Sequence, residues 1–217
     1  MKLQWLGHSS FKLTESTGAS VITDPFEAQA VGYSMAYLNC DAVTSSCALP
    51  DHNNFKGVKG NPVIINSLGN TEINGIHVAG FLSNEGANVK PHKNMIYKFR
   101  LDGVTVCHLG DIAEECSAEI IEELIPVNIL LIPIGGGDKT IDAEMAKEYV
   151  DNIMPDICIP MHFKTKDTEL DIDKADAFLR LFDDSQIIVA DNHTIEFDRY
   201  DFSGESTKII LPKRYKG

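Results

Sequence analysis

The chain has no apolar run near the ~20 residues that a membrane-crossing helix requires, so a helical span is not expected. It has no surplus of positive charge. The net charge is −13, and its densest basic cluster is Lys213-Arg214-Tyr215-Lys216 at the tail. A protein that grips a phosphate backbone needs a basic stripe, so nucleic acid is not an expected partner. It has no CxxC pair, and its five cysteines, Cys40, Cys47, Cys107, Cys116 and Cys158, are odd in number. Met1–Leu6 reads as a strand and lacks the long apolar stretch and small-residue cleavage site of a signal peptide. Reduced thiols in a cytoplasmic protein are the simplest expectation. Ser9-Ser10 lacks the GxSxG elbow of a serine hydrolase. The run Gly135-Gly136-Gly137-Asp138-Lys139-Thr140 lacks the GxxxxGK[ST] spacing of a phosphate-binding loop. It reads as a tight strand-to-helix turn, or as backbone N–H groups open to an anion. No Pro/Gly/Ser-rich linker, short repeat or low-complexity segment divides the 217 residues. The expectation is a single domain over 1–217, long enough for a substantial core.

What is present changes rhythm half way. The first half carries short apolar runs punctuated by turn residues: Leu3–Leu6, Phe11–Leu13, Val21–Thr23, Asp41–Thr44, Val63–Ile65, Ile73–Val78, Met95–Phe99 and Val104–His108. Asn74-Gly75 and Asp102-Gly103 are hairpin turn signals. Strands at these intervals, with few helices between them, predict antiparallel or mixed sheets. In the second half, helical spacing appears over Ser117–Leu124, Asp142–Met154 and Asp173–Phe182. Asn128–Ile134 is a continuous apolar strand of the kind buried on both faces. Ile157–Met161, Ile187–Val189, Thr194–Phe197 and Lys208–Leu211 complete the strands. The reading is α/β, with sheet layers covered by helices.

Polar residues suited to metal ligation recur where strands end. Asp24 follows Val21–Thr23, Asp51-His52 follows Asp41–Thr44, Asp111 follows Val104–His108, and His162 follows Ile157–Met161. Two imidazoles, His52 and His162, with two carboxylates, Asp51 and Asp111, match the neutral nitrogen and anionic oxygen donors that zinc, manganese or iron takes.

In order, the segments Trp5-Leu6-Gly7-His8-Ser9-Ser10-Phe11, Val21-Ile22-Thr23-Asp24-Pro25-Phe26, Cys107-His108-Leu109-Gly110-Asp111, Leu131-Ile132-Pro133-Ile134-Gly135-Gly136 and Pro160-Met161-His162-Phe163-Lys164-Thr165 run over about three quarters of the chain. The ordered set resembles the metallo-β-lactamase superfamily, and within it the small bacterial metal-dependent hydrolases related to ascorbate-phosphate lactonases. The resemblance implies a four-layer αββα sandwich with mixed sheets. It also implies a metal-ligand loop H-x-H-x-D-H, which this chain carries in degenerate form: Cys47 and Leu49 stand at the two leading histidines, followed by Asp51 and His52. Leu82 stands where a further histidine is expected, Asp111 at the bridging aspartate, and His162 at the last histidine.

By that resemblance, every histidine of one metal position is lost and every ligand of the other is kept: Asp51, His52, Asp111 and His162. Such a set can hold one divalent ion, with zinc ahead of manganese or iron, and lower the pKa of a bound water towards ~7. Asp51 or Asp111 would accept a proton during attack on an ester, lactone or phosphoester of a small molecule. Cys47 is a candidate additional ligand or an ordinary buried thiol. His8 and Asp24 are expected behind the ligands, orienting them. Lys164 and Thr165 are candidates for contact with an anionic substrate. His108 is expected in the core or beside a ligand, His77 and His193 in solvent, and His92 is a distant candidate for a replacement ligand. The alternative is a catalytically inactive member of the fold, with no metal and with these polar groups bonding only one another.

Overall fold

Alternating burial in the first strands builds the smaller of two sheets. The computed structural model describes residues 1–83, 93–137, 139–202 and 204–217. Within them, β1 (Lys2–Gly7), β2 (Ser10–Thr14), β3 (Ser20–Thr23), β4 (Ala42–Thr44) and β5 (Val63–Ile65) join β13 (Ile195–Glu196) in a six-stranded sheet of order β13-β1-β2-β3-β4-β5. β1, β2 and β3 run antiparallel, whereas β3, β4 and β5 run parallel. Leu3, Trp5, Val21 and Ala42 enter the main core, while Leu6, Ile22 and Val43 form a second cluster with Val58. This is the period-two alternation of a strand with both faces covered. The second cluster is covered by Met35, Leu38 and Phe55, in the segments around α1 (Ala28–Val31) and a 3₁₀ turn at Phe55–Gly57. The outer layer on this side therefore holds little helix.

The larger sheet has eight strands, in the order β12-β14-β11-β10-β9-β8-β7-β6. They are β6 (Gly69–Ile73), β7 (Ile76–Leu82), β8 (Met95–Leu101), β9 (Val104–His108), β10 (Ile129–Pro133), β11 (Ile157–Met161), β12 (Ile187–Val189) and β14 (Lys208–Leu211). β6 to β9 pair antiparallel, and β9-β10-β11-β14-β12 pair parallel. All residues of β10 are buried, as the continuous apolar run Asn128–Ile134 predicts. Helices α2 (Ala118–Leu124), α3 (Ala143–Ile153) and α4 (Ala175–Leu179) pack with one another, and α3 packs on β10. Ser117 caps α2 by accepting from the Ile120 N–H, and Asp142 caps α3 by accepting from Met145 N–H at 2.9 Å. α3 buries Ala146, Tyr149, Val150 and Ile153 on one face. No described helix is long and apolar enough to cross a membrane.

Two elements differ from their sequence-based expectations. The run Ile73–Val78 is not one strand. Asn74 and Gly75 take φ of 50° and 94°, so β6 ends at Ile73 and β7 restarts at Ile76, directly paired to it. The turn signal outweighs the apolar run around it. Only Ala175–Leu179 of the segment 173–182 is α-helical. Its N-terminal side is drawn away because the Asp173 N–H donates to Gly135 O at 2.7 Å, and beyond Leu179 the chain closes in tight turns.

Between the sheets, Phe11 and Leu13 meet Tyr97 and Phe99, all fully buried. The Tyr97 hydroxyl lies 3.1 Å from both Ser45 O and Ile65 O, tying the larger sheet to the segments that follow β4 and β5. The strand ends of both sheets then supply one cluster of polar side chains.

Candidate metal centre

Three residues of the cluster leave a strand through a sharp turn. His8 follows β1, Asp24 follows β3 and His162 follows β11, with φ of 49°, 38° and 52°. Residues other than glycine seldom adopt this left-handed backbone, and it persists where the surroundings over-determine it. A register irregularity between Trp5 and Gly7 immediately precedes His8. The His8 carbonyl accepts from Trp5 Nε1 at 2.9 Å and from the His162 N–H at 3.2 Å, joining the end of β1 to the end of β11. The loop carrying Asp51 and His52 is fixed by Glu27 N–H to Pro50 O, and Asn54 N–H to Pro25 O.

His52 is oriented from behind. Its Nδ1 lies 2.8 Å from Asp24 Oδ2, and Asp24 also accepts from Ser46 N–H at 2.8 Å and from Ser46 Oγ at 2.5 Å. A carboxylate on Nδ1 keeps the proton there and leaves Nε2 facing the cluster. Asp111 is held by its own N–H, which donates to Asn94 Oδ1 at 2.8 Å. Asn94 in turn donates to Leu109 O. Gly110 makes this approach possible, because a Cβ there would lie 2.3 Å from Asn94 Oδ1. His108 is buried, donates from Nε2 to Ser9 O at 2.8 Å, and accepts at Nδ1 from Gly110 N–H. Ser46 and Asn94 were missed by sequence reasoning, since both reach the cluster through backbone turns that carry no motif.

His8, Asp51, His52 and His162 each offer one donor atom, all mutually within 4.8 Å, and Cys47, His52 and Asp111 form a second such group. His8 Nε2 is 3.4 Å from Asp51 Oδ2, and His162 Nε2 is 3.4 Å from Asp111 Oδ1. His52 Nε2 is 3.8 Å from Asp51 Oδ2 and 4.0 Å from Asp111 Oδ1. Donors about 2.1 Å from a common ion at tetrahedral angles lie roughly 3.5 Å apart, so these separations suit a divalent cation. Buried His52 Nε2 and both ring nitrogens of His162 have no hydrogen-bond partner among the described residues. Buried polar atoms are rarely left so, and a cation would satisfy them.

The cluster polarises its own members. Burial opposes a charge on His162, and His8 adds to this, so the imidazole is pushed down to about 3 and stays neutral, the form that ligates. Burial also lowers His8. Burial works against protonation of His52 too, but Asp24, Asp111 and Asp51 outweigh it and raise that imidazole to about 9. Burial pulls Asp51 upward, but His8, His52 and His162 prevail and hold its carboxyl far below the usual range. Burial pushes the Cys47 thiol up, with Asp111 and Asp24 reinforcing it.

The remaining candidates fall as follows. Lys164 donates through Nζ to Leu170 O, and Thr165 Oγ1 accepts from Asp167 N–H, so both brace the loop beyond His162. His77 and His193 are exposed. Leu82 is 39% exposed and lines a groove with Phe81, Ile96, Ile120 and Leu124 that contains none of the histidines. A second groove, of about 690 Å³, lies over β6 to β9 beside His77, Lys98 and Arg100. His92 and Asp138 lie outside the described residues.

Known proteins are similar to this chain in sequence and fold. A family model described as the beta-lactamase superfamily domain covers residues 2–162. A metal-dependent hydrolase of Carboxydothermus hydrogenoformans is 28% identical over 200 residues, spanning 76% of this chain and 85% of that one. A solved Thermotoga maritima protein, provisionally described as a Zn-dependent hydrolase of the metallo-β-lactamase superfamily, superposes with a TM-score of 0.79 at 30% identity over 99% of both chains. An isothiocyanate hydrolase from Delia radicum gut bacteria shares the fold at a TM-score of 0.67 and 16% identity, over 91% of this chain and all of that one. With two mixed sheets, a matching family model and a relative superposing over nearly its whole length, the chain belongs to the metallo-β-lactamase superfamily.

Proposed function

We propose that this protein is a metal-dependent hydrolase whose centre holds one divalent ion through Asp51, His52, Asp111 and His162, and that it cleaves an ester, lactone or phosphoester of a small molecule. The observation that carries this reading is the pair of buried imidazoles, His52 and His162, whose Nε2 atoms lack hydrogen-bond partners among the described residues and stand 3.4–4.0 Å from Asp51 and Asp111 oxygens. When bound, a divalent ion at such a site supplies Lewis acidity and lowers the pKa of water.

The protein's own groups supply the rest. Asp24 holds the Nδ1 proton of His52, so that Nε2 faces inward as a ligand. Asn94 fixes the Asp111 turn. Asp51, whose side chain is 15% exposed against 1% for Asp111, is the carboxylate nearer to solvent and the better placed to accept a proton from water. The histidines around it keep it ionised, the state in which it can do so. Lys164 and Thr165, engaged with Leu170 O and Asp167 N–H, steady the loop just past His162.

Metal analysis of protein purified without chelator tests this reading. The expected result is close to one equivalent of zinc, manganese or iron, lost in His52→Ala and His162→Ala. Hydrolysis of a panel of chromogenic esters, lactones and phosphoesters should disappear with chelator and return with metal. Protein that takes up no metal after supplementation with all three ions would overturn the proposal.

A further inference from the structure

The two donor groups share one residue. His52 belongs to both, its Nδ1 is committed to Asp24, and its Nε2 has a single lone pair. That nitrogen cannot serve two ions, so the groups describe one ion position seen from two sides. On one side stand His8, Asp51 and His162, and on the other Cys47 and Asp111. Asp111 also reaches His162 at 3.4 Å, which closes the two sides into a single constellation.

Cys47 is built into this position. Its side chain is buried, and Ser45 Oγ donates to its carbonyl at 2.7 Å. It is a free thiol, and its sulfur lies within 4.8 Å of both a His52 nitrogen and an Asp111 oxygen. His52 is fully buried, and its Nε2 has no hydrogen-bond partner among the described residues.

We infer that Cys47 is a sulfur ligand of that same ion, sharing it with His52 and Asp111, so that the centre is a mixed nitrogen, oxygen and sulfur site for a single zinc ion. The inference rests on the one-ion reading above and sharpens it, since it names the donor that the leading position of the loop contributes and the metal that donor favours. Thiolate is a soft ligand that suits zinc, whereas manganese prefers oxygen donors. Binding breaks the Cys47 S–H bond and forms a sulfur–zinc bond, and the proton passes to solvent.

Cobalt(II) substitution tests it without recourse to activity. The full-length wild-type protein loaded with one equivalent of cobalt should show the intense near-ultraviolet sulfur-to-cobalt charge-transfer absorption of a thiolate ligand. Cys47→Ser should abolish that absorption, and Cys107→Ser and Cys158→Ser should leave it intact. Zinc K-edge absorption of the wild-type protein, which needs no variant to fold, should show a sulfur neighbour at about 2.3 Å. Zinc affinity in Cys47→Ser should fall by more than the roughly 10–100-fold lost when an outer partner of a ligand is removed. Stoichiometric cobalt without charge-transfer absorption would overturn the role of Cys47 and leave the four-ligand centre standing. Absorption that survives in Cys47→Ser would also overturn it. Failure to bind either metal would overturn both readings.

Discussion

Asp24 illustrates how a side chain outside the proposed ligand set controls one. It accepts from the Ser46 N–H and Ser46 Oγ while holding His52 Nδ1 at 2.8 Å. Burial raises its carboxyl, but His108, His52 and Ser46 outweigh this and keep it below its ordinary value, so it is anionic at neutral pH. In Asp24→Asn, an amide NH₂ can face Nδ1 and favour the tautomer that carries its proton on Nε2. The expected outcome is a zinc affinity lower by about 10–100-fold with the fold retained, read by competition with a chromophoric chelator and by circular dichroism. Unchanged affinity would mean that His52 is not a ligand. At this scale, the meeting of Asp24, Asp51, His52, Asp111 and His162 at one rim was legible in the sequence because each follows a strand within a recognisable segment. The partner of Asp111 was not. Asn94 reaches it through space from the start of a different strand, and nothing in its neighbours marks it. The position of His8 was only half legible. Its segment suggested a residue behind the ligands, whereas its donor atom lies among those of Asp51, His52 and His162.

The elements show the same division between local and long-range information. β10 and α3 were legible because an unbroken apolar run and a capped amphipathic spacing are local signals. The N-terminal end of α4 was not, because the bond from Asp173 N–H to Gly135 O joins two distant loops. Gly135 matters for a second reason: a Cβ there would lie 2.2 Å from His162 O and 3.2 Å from His162 Nδ1. The ends of β10 and β11 touch through this glycine, and backbone cannot yield as a flexible side chain would. Gly135→Ala is expected to cost about 1–3 kcal/mol by overpacking, a fall in Tm of roughly 2–12 °C for a chain of this size. It should also lower metal content by tilting His162. Thermal unfolding read alongside metal analysis checks both, and an unchanged Tm would show that the loop carrying Gly135 relaxes freely.

Across the whole molecule, the cluster spans the seam between the sheets. His8, Asp24, Asp51 and His52 follow strands of the smaller sheet, and Asp111 and His162 follow strands of the larger one. An ion bound there binds the folded chain and not the unfolded one, so it adds stability by mass action. At free metal a hundredfold above Kd the gain is about 2.7 kcal/mol, a rise in Tm of roughly 5–11 °C for a chain of this length. Calorimetry of chelated and metal-loaded protein measures it. A zero shift, with binding shown independently, would mean that the unfolded chain binds the ion as tightly as the folded one. The fold class was legible because strand-rich and helix-rich halves follow each other in order. The closeness of the two sheets at this rim was not, because it depends on bonds such as Trp5 Nε1 to His8 O and His162 N–H to His8 O.

The proposed donors are scattered from position 8 to position 162, and the last of them, His162, ends β11. A nascent chain released from the ribosome only as far as β10 therefore owns most of the donors and none of the centre. On the proposed ligand set, the centre would be complete only once β11 pairs with β10 and brings His162 to the rim.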